Sequence, residues 1–83
     1  MSRPDHRLLA IAFGQQLKHH RQAAGLSQQE LGERAGHNRS HVSDLESGRY
    51  VPTLSTAYLL ACALNVPLSA LAPDDLWSAA LPP

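Results

Sequence analysis

Leu9, Phe13 and Leu17 recur at four-residue intervals, a spacing that gathers apolar side chains on one face of a helix. They predict a first helix over residues 8–24. The pattern then resets at short intervals. Leu31 and Ala35 mark the inner face of a second helix over residues 28–35, and Val42 and Leu45 that of a third over residues 39–47. Pro52 bars an earlier start to a fourth helix over residues 54–64, whose inward set reads Leu54, Ala57, Leu60, Ala61 and Leu64. Pro67 opens a short fifth helix carrying Leu68 and Leu71. No segment alternates apolar and polar residues as a half-buried strand does, so the fold class is all-α.

The punctuation between these stretches agrees with the periodicity. Gly25, Gly36 and Gly48 each close a helical pattern, and Asn65 closes the fourth; these are the residue types that enter the left-handed conformation most easily. Ser27, Asn38 and Thr53 follow the glycines and offer side-chain oxygens to the first N–H groups of the next helix. Ser27 with Glu30 makes a capping box. The chain divides into an arm over residues 1–7, a helical domain over 8–72 and an extension over 73–83. In the extension, Asp74 and Asp75 suit a helix N-terminus, and Leu76, Trp77, Ala80 and Leu81 would share one face. That face either folds back on its own core or contacts a second copy; a lone helix this short needs one or the other.

Composition narrows the function. A chain of 83 residues supports a single domain with a modest core, too small for a deep catalytic cleft. One cysteine forms no internal disulfide and no zinc-finger quartet of ligands is present, which fits a cytoplasmic protein without a metal or other cofactor. The longest unbroken apolar run, residues 57–64, falls far short of the roughly 20 residues that span a bilayer. The formal net charge is zero, which at first argues against nucleic acid. Its distribution removes the objection. All seven basic residues, five of the acids and all five histidines lie in residues 1–50, a net +2, while Asp74 and Asp75 make the remainder −2.

Competing chemistries are thin. His37 and His41 stand four apart, but no third metal ligand accompanies them. Ser40, His41 and Asp44 are the ingredients of a catalytic triad, yet one short helix cannot arrange them as a relay around a pocket. Cys62 among apolar neighbours reads as an inert, half-buried thiol. The chain does not read as an enzyme.

The second and third helices are joined by the three residues Gly36, His37 and Asn38, the layout of a helix-turn-helix in which the second helix enters the DNA major groove. Residues 13–71 carry G-L-S-Q-x-E-L from Gly25, A-G at Ala35, V-S-x-L-E-x-G from Val42, P-T at Pro52 and A-x-A-L from Ala61. In that order and register they resemble the lambda repressor/Cro (XRE) type of DNA-binding domain. The resemblance implies a compact five-helix bundle with residues 38–47 as the recognition helix and its cap.

The helix itself supports that role. With Val42 and Leu45 inward, Arg39, Ser40, Ser43 and Ser47 lie on the opposite face with Asp44 at its edge. Arg39 suits bidentate pairing with guanine, Ser40 donates or accepts, and Asp44 either accepts from cytosine or orients Arg39. Gln28, Asn38, Ser43, Arg49 and Tyr50 are the candidates for phosphate contacts, Gln28 and the Arg49–Tyr50 loop on the strength of the family pattern. Arg21 and Glu46 match family positions that form a buried ion pair. The resemblance further implies a transcriptional regulator, with repression the expected action, binding double-stranded DNA as a homodimer. Tyr58, Leu59 and Cys62, off the inward face of the fourth helix, join Leu76, Trp77 and Leu81 as the candidate dimer surface. The alternative is an antitoxin-type or adaptor protein that uses the same fold to contact a protein partner. Three positions depart from the family pattern. Gly32 replaces an alanine, which predicts that Gly32→Ala stabilises the helix; His37 replaces an apolar turn residue; Pro67 replaces a capping serine or threonine.

Overall fold

A computed structural model describes residues 6–72 and contains four α-helices: α1 (His6–Ala23), α2 (Gln28–Ala35), α3 (Arg39–Glu46) and α4 (Leu54–Leu64). The expected bounds of α2 and α4 hold, α1 starts ahead of Leu8, and α3 stops at Glu46 with Ser47 as its cap.

Local chemistry sets these limits. Ser27 Oγ accepts from the Glu30 N–H (3.0 Å) while Glu30 Oε1 accepts from the Ser27 N–H (2.9 Å), completing the capping box. Asn38 Oδ1 accepts from the His41 N–H at 2.7 Å, and Thr53 Oγ1 from the Thr56 N–H at 3.2 Å. Such caps contribute about 1 kcal/mol each. The helices end alike, through an N–H that reaches back five residues: Leu26 to Arg21, His37 to Gly32, Arg49 to Asp44 and Val66 to Ala61. The residue before each of those donors is left-handed: Gly25, Gly36, Gly48 and, at φ 57°, Asn65.

Phe13, Leu17, Leu26, Leu31, Ala35, Val42, Leu45, Ala57, Leu60, Ala61, Leu64 and Leu71 form one core. α3 packs against α1 and α2, and α4 packs against α2 from the other side. α3 is therefore pinned along its inner face, leaving its outer face to solvent.

Four expectations are corrected. The fifth helix is one 3-10 turn, Leu68–Ala70, because Pro67 supplies no side-chain acceptor to cap a longer one; Leu71 beyond it is nevertheless fully buried. Leu54 is 75% exposed. The buried stripe of α4 runs through Thr56, Ala57, Leu60, Ala61 and Leu64, and at 100° per residue Leu54 sits about 90° from its centre. Cys62 lies almost opposite that stripe and is exposed, not half-buried. At Gly32, a Cβ would stand 2.5 Å from the His37 carbonyl oxygen, so alanine clashes with backbone there instead of stabilising the helix. Leu76, Trp77 and Leu81 lie outside the described residues.

Candidate nucleic-acid interface

Val42 and Leu45 are buried, which turns the opposite side of α3 outward. Arg39 and Ser40 are exposed, Ser43 and Asp44 half-buried, and these four side chains line a shallow depression on that face. Ser47 is exposed as well, but its hydroxyl donates to the carbonyls of Ser43 (3.0 Å) and Asp44 (3.1 Å) and so closes the helix end.

The back of α3 is held by an ion pair of unusual completeness. Arg21 Nε lies 2.5 Å from Glu46 Oε2, and Arg21 Nη2 donates to Glu46 Oε1 at 3.0 Å. Arg21 Nη1 donates to the Leu26 carbonyl at 2.8 Å, and Gln28 Nε2 donates to Glu46 Oε1 at 3.1 Å. The side chains are 12% and 4% exposed. Donating hydrogen bonds to the Glu46 carboxylate raises the Arg21 pKa above its ordinary value, outweighing the opposing effect of burial. One carboxylate, between Arg21 of α1 and Gln28 of α2, thus ties α1, α2 and α3 together.

Of the phosphate candidates, Ser43 lines the depression itself, and the others lie on α2, at the cap of α3 and in the loop after it. Gln28 sits at the first residue of α2, its amide turned onto Glu46, which ties the start of α2 to the end of α3. Asn38 uses its carbonyl oxygen as the α3 cap, which leaves its amide N–H groups as donors beside the helix N-terminus. Arg49 follows Gly48 with its side chain 72% exposed and pairs with Asp44 at 3.5 Å. Asp44 therefore orients Arg49 and not Arg39. Tyr50 turns toward His41, ring centroids 5.9 Å apart, and His41 meets His37 edge-on at 4.6 Å. The His37 Nε2 is buried with no hydrogen-bond partner. Among the described residues no group of three or more His, Cys, Asp or Glu side chains is placed to hold a metal.

Gly14 was not legible as a site residue. A Cβ there would meet the carbonyl oxygens of Leu45 and Glu46, the latter at 2.7 Å, so glycine is what lets α1 lie against the last turn of α3. Leu54, at the edge of α4, extends the exposed apolar face of Tyr58 and Leu59.

The helix-turn-helix family model matches residues 17–71, the stretch that contains both arms of the motif and all of the core but Phe13. The chain belongs to the helix-turn-helix family of the lambda repressor/Cro (XRE) type. Among relatives, an immunity repressor protein of Bacillus phage phi105 is 39% identical over 78% of this chain. The match takes in 45% of that repressor, so the chain spans less than half of its length. An uncharacterised HTH-type transcriptional regulator of Methanothermobacter thermautotrophicus is 46% identical over 59% of this chain and 71% of its own. In structure, the restriction-modification controller protein C.AhdI from Aeromonas hydrophila superposes with a TM-score of 0.77 at 37% identity, covering 81% of this chain and 97% of its own. Within this helix-turn-helix domain, α2 and α3 are the motif and the four-residue depression lies on its second helix. No helix among the described residues is long and apolar enough to cross a membrane.

Proposed function

We propose that this protein is a cytoplasmic transcriptional regulator, a repressor in action, that binds double-stranded DNA sequence-specifically as a homodimer with α3 in the major groove. The observation that carries the reading is the two-sidedness of α3. Its inner face is locked by Val42, Leu45 and the Glu46 network, while Arg39, Ser40, Ser43 and Asp44 present polar groups outward around a depression. A rigid helix with short polar side chains at its start is what groove reading requires.

In this reading Arg39 pairs with guanine O6 and N7, while Ser40 and Asp44 contact neighbouring base edges. Gln28, Asn38, Ser43, Arg49 and Tyr50 fix the register on the phosphates. The exposed apolar face of α4, with Leu54, Tyr58, Leu59 and Cys62, is where a second copy docks, aided by the extension that holds Leu76, Trp77 and Leu81. The names of the relatives, an immunity repressor and a controller protein, support regulation by DNA binding.

Selection of bound sequences from a random duplex pool tests this directly. The expected product is a pseudo-palindrome with half-sites about one helical turn apart. A pool that stays random after repeated rounds overturns the DNA reading, and a single unpaired half-site overturns the dimer.

A further inference from the structure

Asp44 and Arg49 are brought together by the backbone before their charges act. α3 ends with Gly48 in the left-handed conformation, its N–H bonded to the Leu45 carbonyl and that of Arg49 to the Asp44 carbonyl, both at 3.2 Å. This termination sets the residue after the glycine beside the residue five positions earlier, and apolar side chains commonly meet there. At the end of α4 the corresponding residues are Val66 and Ala61; at the end of α3 they are Arg49 and Asp44. The contact between them is single and long, Arg49 Nε to Asp44 Oδ1 at 3.5 Å, with side chains 72% and 39% exposed. A pair of this kind adds next to nothing to stability and exchanges readily with other partners. The same carboxylate also lines the outward depression of α3 with Arg39, Ser40 and Ser43. It faces the groove-reading surface and the flanking cation at once.

Resting on the reading of α3 as the groove-reading helix, we propose that Asp44 determines specificity by exchange. On a non-cognate duplex its unsatisfied carboxylate competes with the phosphates for Arg49 and weakens that contact. On a cognate site it accepts an N–H from cytosine N4, and Arg49 passes to a phosphate. The base follows from the chemistry of the groove. Guanine and thymine present acceptors to a carboxylate, and adenine places its N7 acceptor beside its amino group. Cytosine alone offers a donor with no acceptor on its own edge. A wrong base at this position therefore forfeits a base contact and weakens a phosphate contact together.

Two measurements test the exchange, using the full chain as wild type, Asp44→Asn, Asp44→Ala, Arg49→Ala and the Asp44→Ala/Arg49→Ala double variant. On a random-sequence duplex pool, Asp44→Ala is expected to bind more tightly, with a log Kd against log salt slope steeper by about 0.9 per protomer. That increment should be absent when the double variant is compared with Arg49→Ala. In sequence selection, Asp44→Asn is expected to lose preference for one cytosine per half-site, discrimination there falling about 5- to 150-fold. A slope for Asp44→Ala equal to wild type, or an unchanged base preference for Asp44→Asn, overturns the exchange while leaving DNA reading intact. A wild-type chain that enriches no sequence removes both readings together. The Asp44 carboxylate makes no contact in the core, and the asparagine variant keeps its shape, so matching circular dichroism confirms that fold is not what changes.

Discussion

Glu46 is the residue whose loss the structure predicts to be most damaging for its size. Its carboxylate accepts from Arg21 Nε and Nη2 and from Gln28 Nε2, with its side chain 4% exposed. Glu46→Ala leaves the Arg21 guanidinium, 12% exposed, with the Leu26 carbonyl as its remaining recorded partner. Breaking a buried pair from one side costs about 3–5 kcal/mol, because the surviving charge stays desolvated. Domains of this size lose roughly 4–8 °C of Tm per kcal/mol, so the melting temperature should fall by at least about 12 °C. Thermal melts followed by circular dichroism measure it. The companion experiment is the Arg21→Met/Glu46→Met double variant, which removes both charges and keeps volume. It should melt well above the value expected from adding the two single losses, since no orphaned charge remains. A Glu46→Ala melt within about 1 °C of wild type, or strictly additive single and double losses, would refute the claim that burial makes this pair costly to break.

Three further outcomes follow from other parts of the domain. Gly14→Ala should destabilise by about 1–3 kcal/mol in urea titration and weaken DNA binding, because its Cβ meets the Leu45 and Glu46 carbonyls and pushes α3 outward; wild-type stability with wild-type binding would show that α1 yields freely. Gly32→Ala should lower Tm despite a helix-propensity gain of about 1 kcal/mol, since the His37 carbonyl lies 2.5 Å from the added Cβ; a rise in Tm would sink that reading. The Ser27 N–H and hydroxyl hold Glu30 below the ordinary value of 4.5, so its folded pKa is depressed and its contribution is present above 4.5 and lost as pH falls through the folded value. Urea titrations at stepped pH should show Glu30→Gln with a shallower acid loss than wild type, and identical profiles would count against the capping box.

Features written in short-range chemistry were legible from the chain. Ser27, Asn38 and Thr53 each bond within three residues, so α2, α3 and α4 begin where their caps stand. The outward face of α3 was legible too, because Val42 and Leu45 leave only one way for the helix to turn. Leu54 was misplaced for a geometrical reason: it shares a three-residue spacing with Ala57, but the centre of the buried stripe lies a quarter-turn away. Gly14 and Gly32 carry no local signal, since what they accommodate is backbone from elsewhere in the fold. The Asp44–Arg49 pair was legible in principle. Once Gly48 is read as a left-handed terminator, residues 44 and 49 must meet.

The charge balance acquires a structural meaning from these placements. Arg21 is committed to Glu46 in the interior, and Arg49 is held by Asp44 on the surface. Of the three arginines on or beside α3, only Arg39 faces outward without a recorded acidic partner among the described residues. A binding surface built this way gains little from counterion release. A dimer that neutralises about 4 phosphates has a log–log salt slope near −3.6, against about −10 for a heavily cationic regulator. In the proposed reading, non-specific attraction is correspondingly weak and discrimination falls to hydrogen bonds to base edges that a rigid α3 can aim. The buried Glu46 network and the close approach at Gly14 supply that rigidity, so the proposed reading makes the stability of the domain and the selectivity of α3 depend on the same few residues.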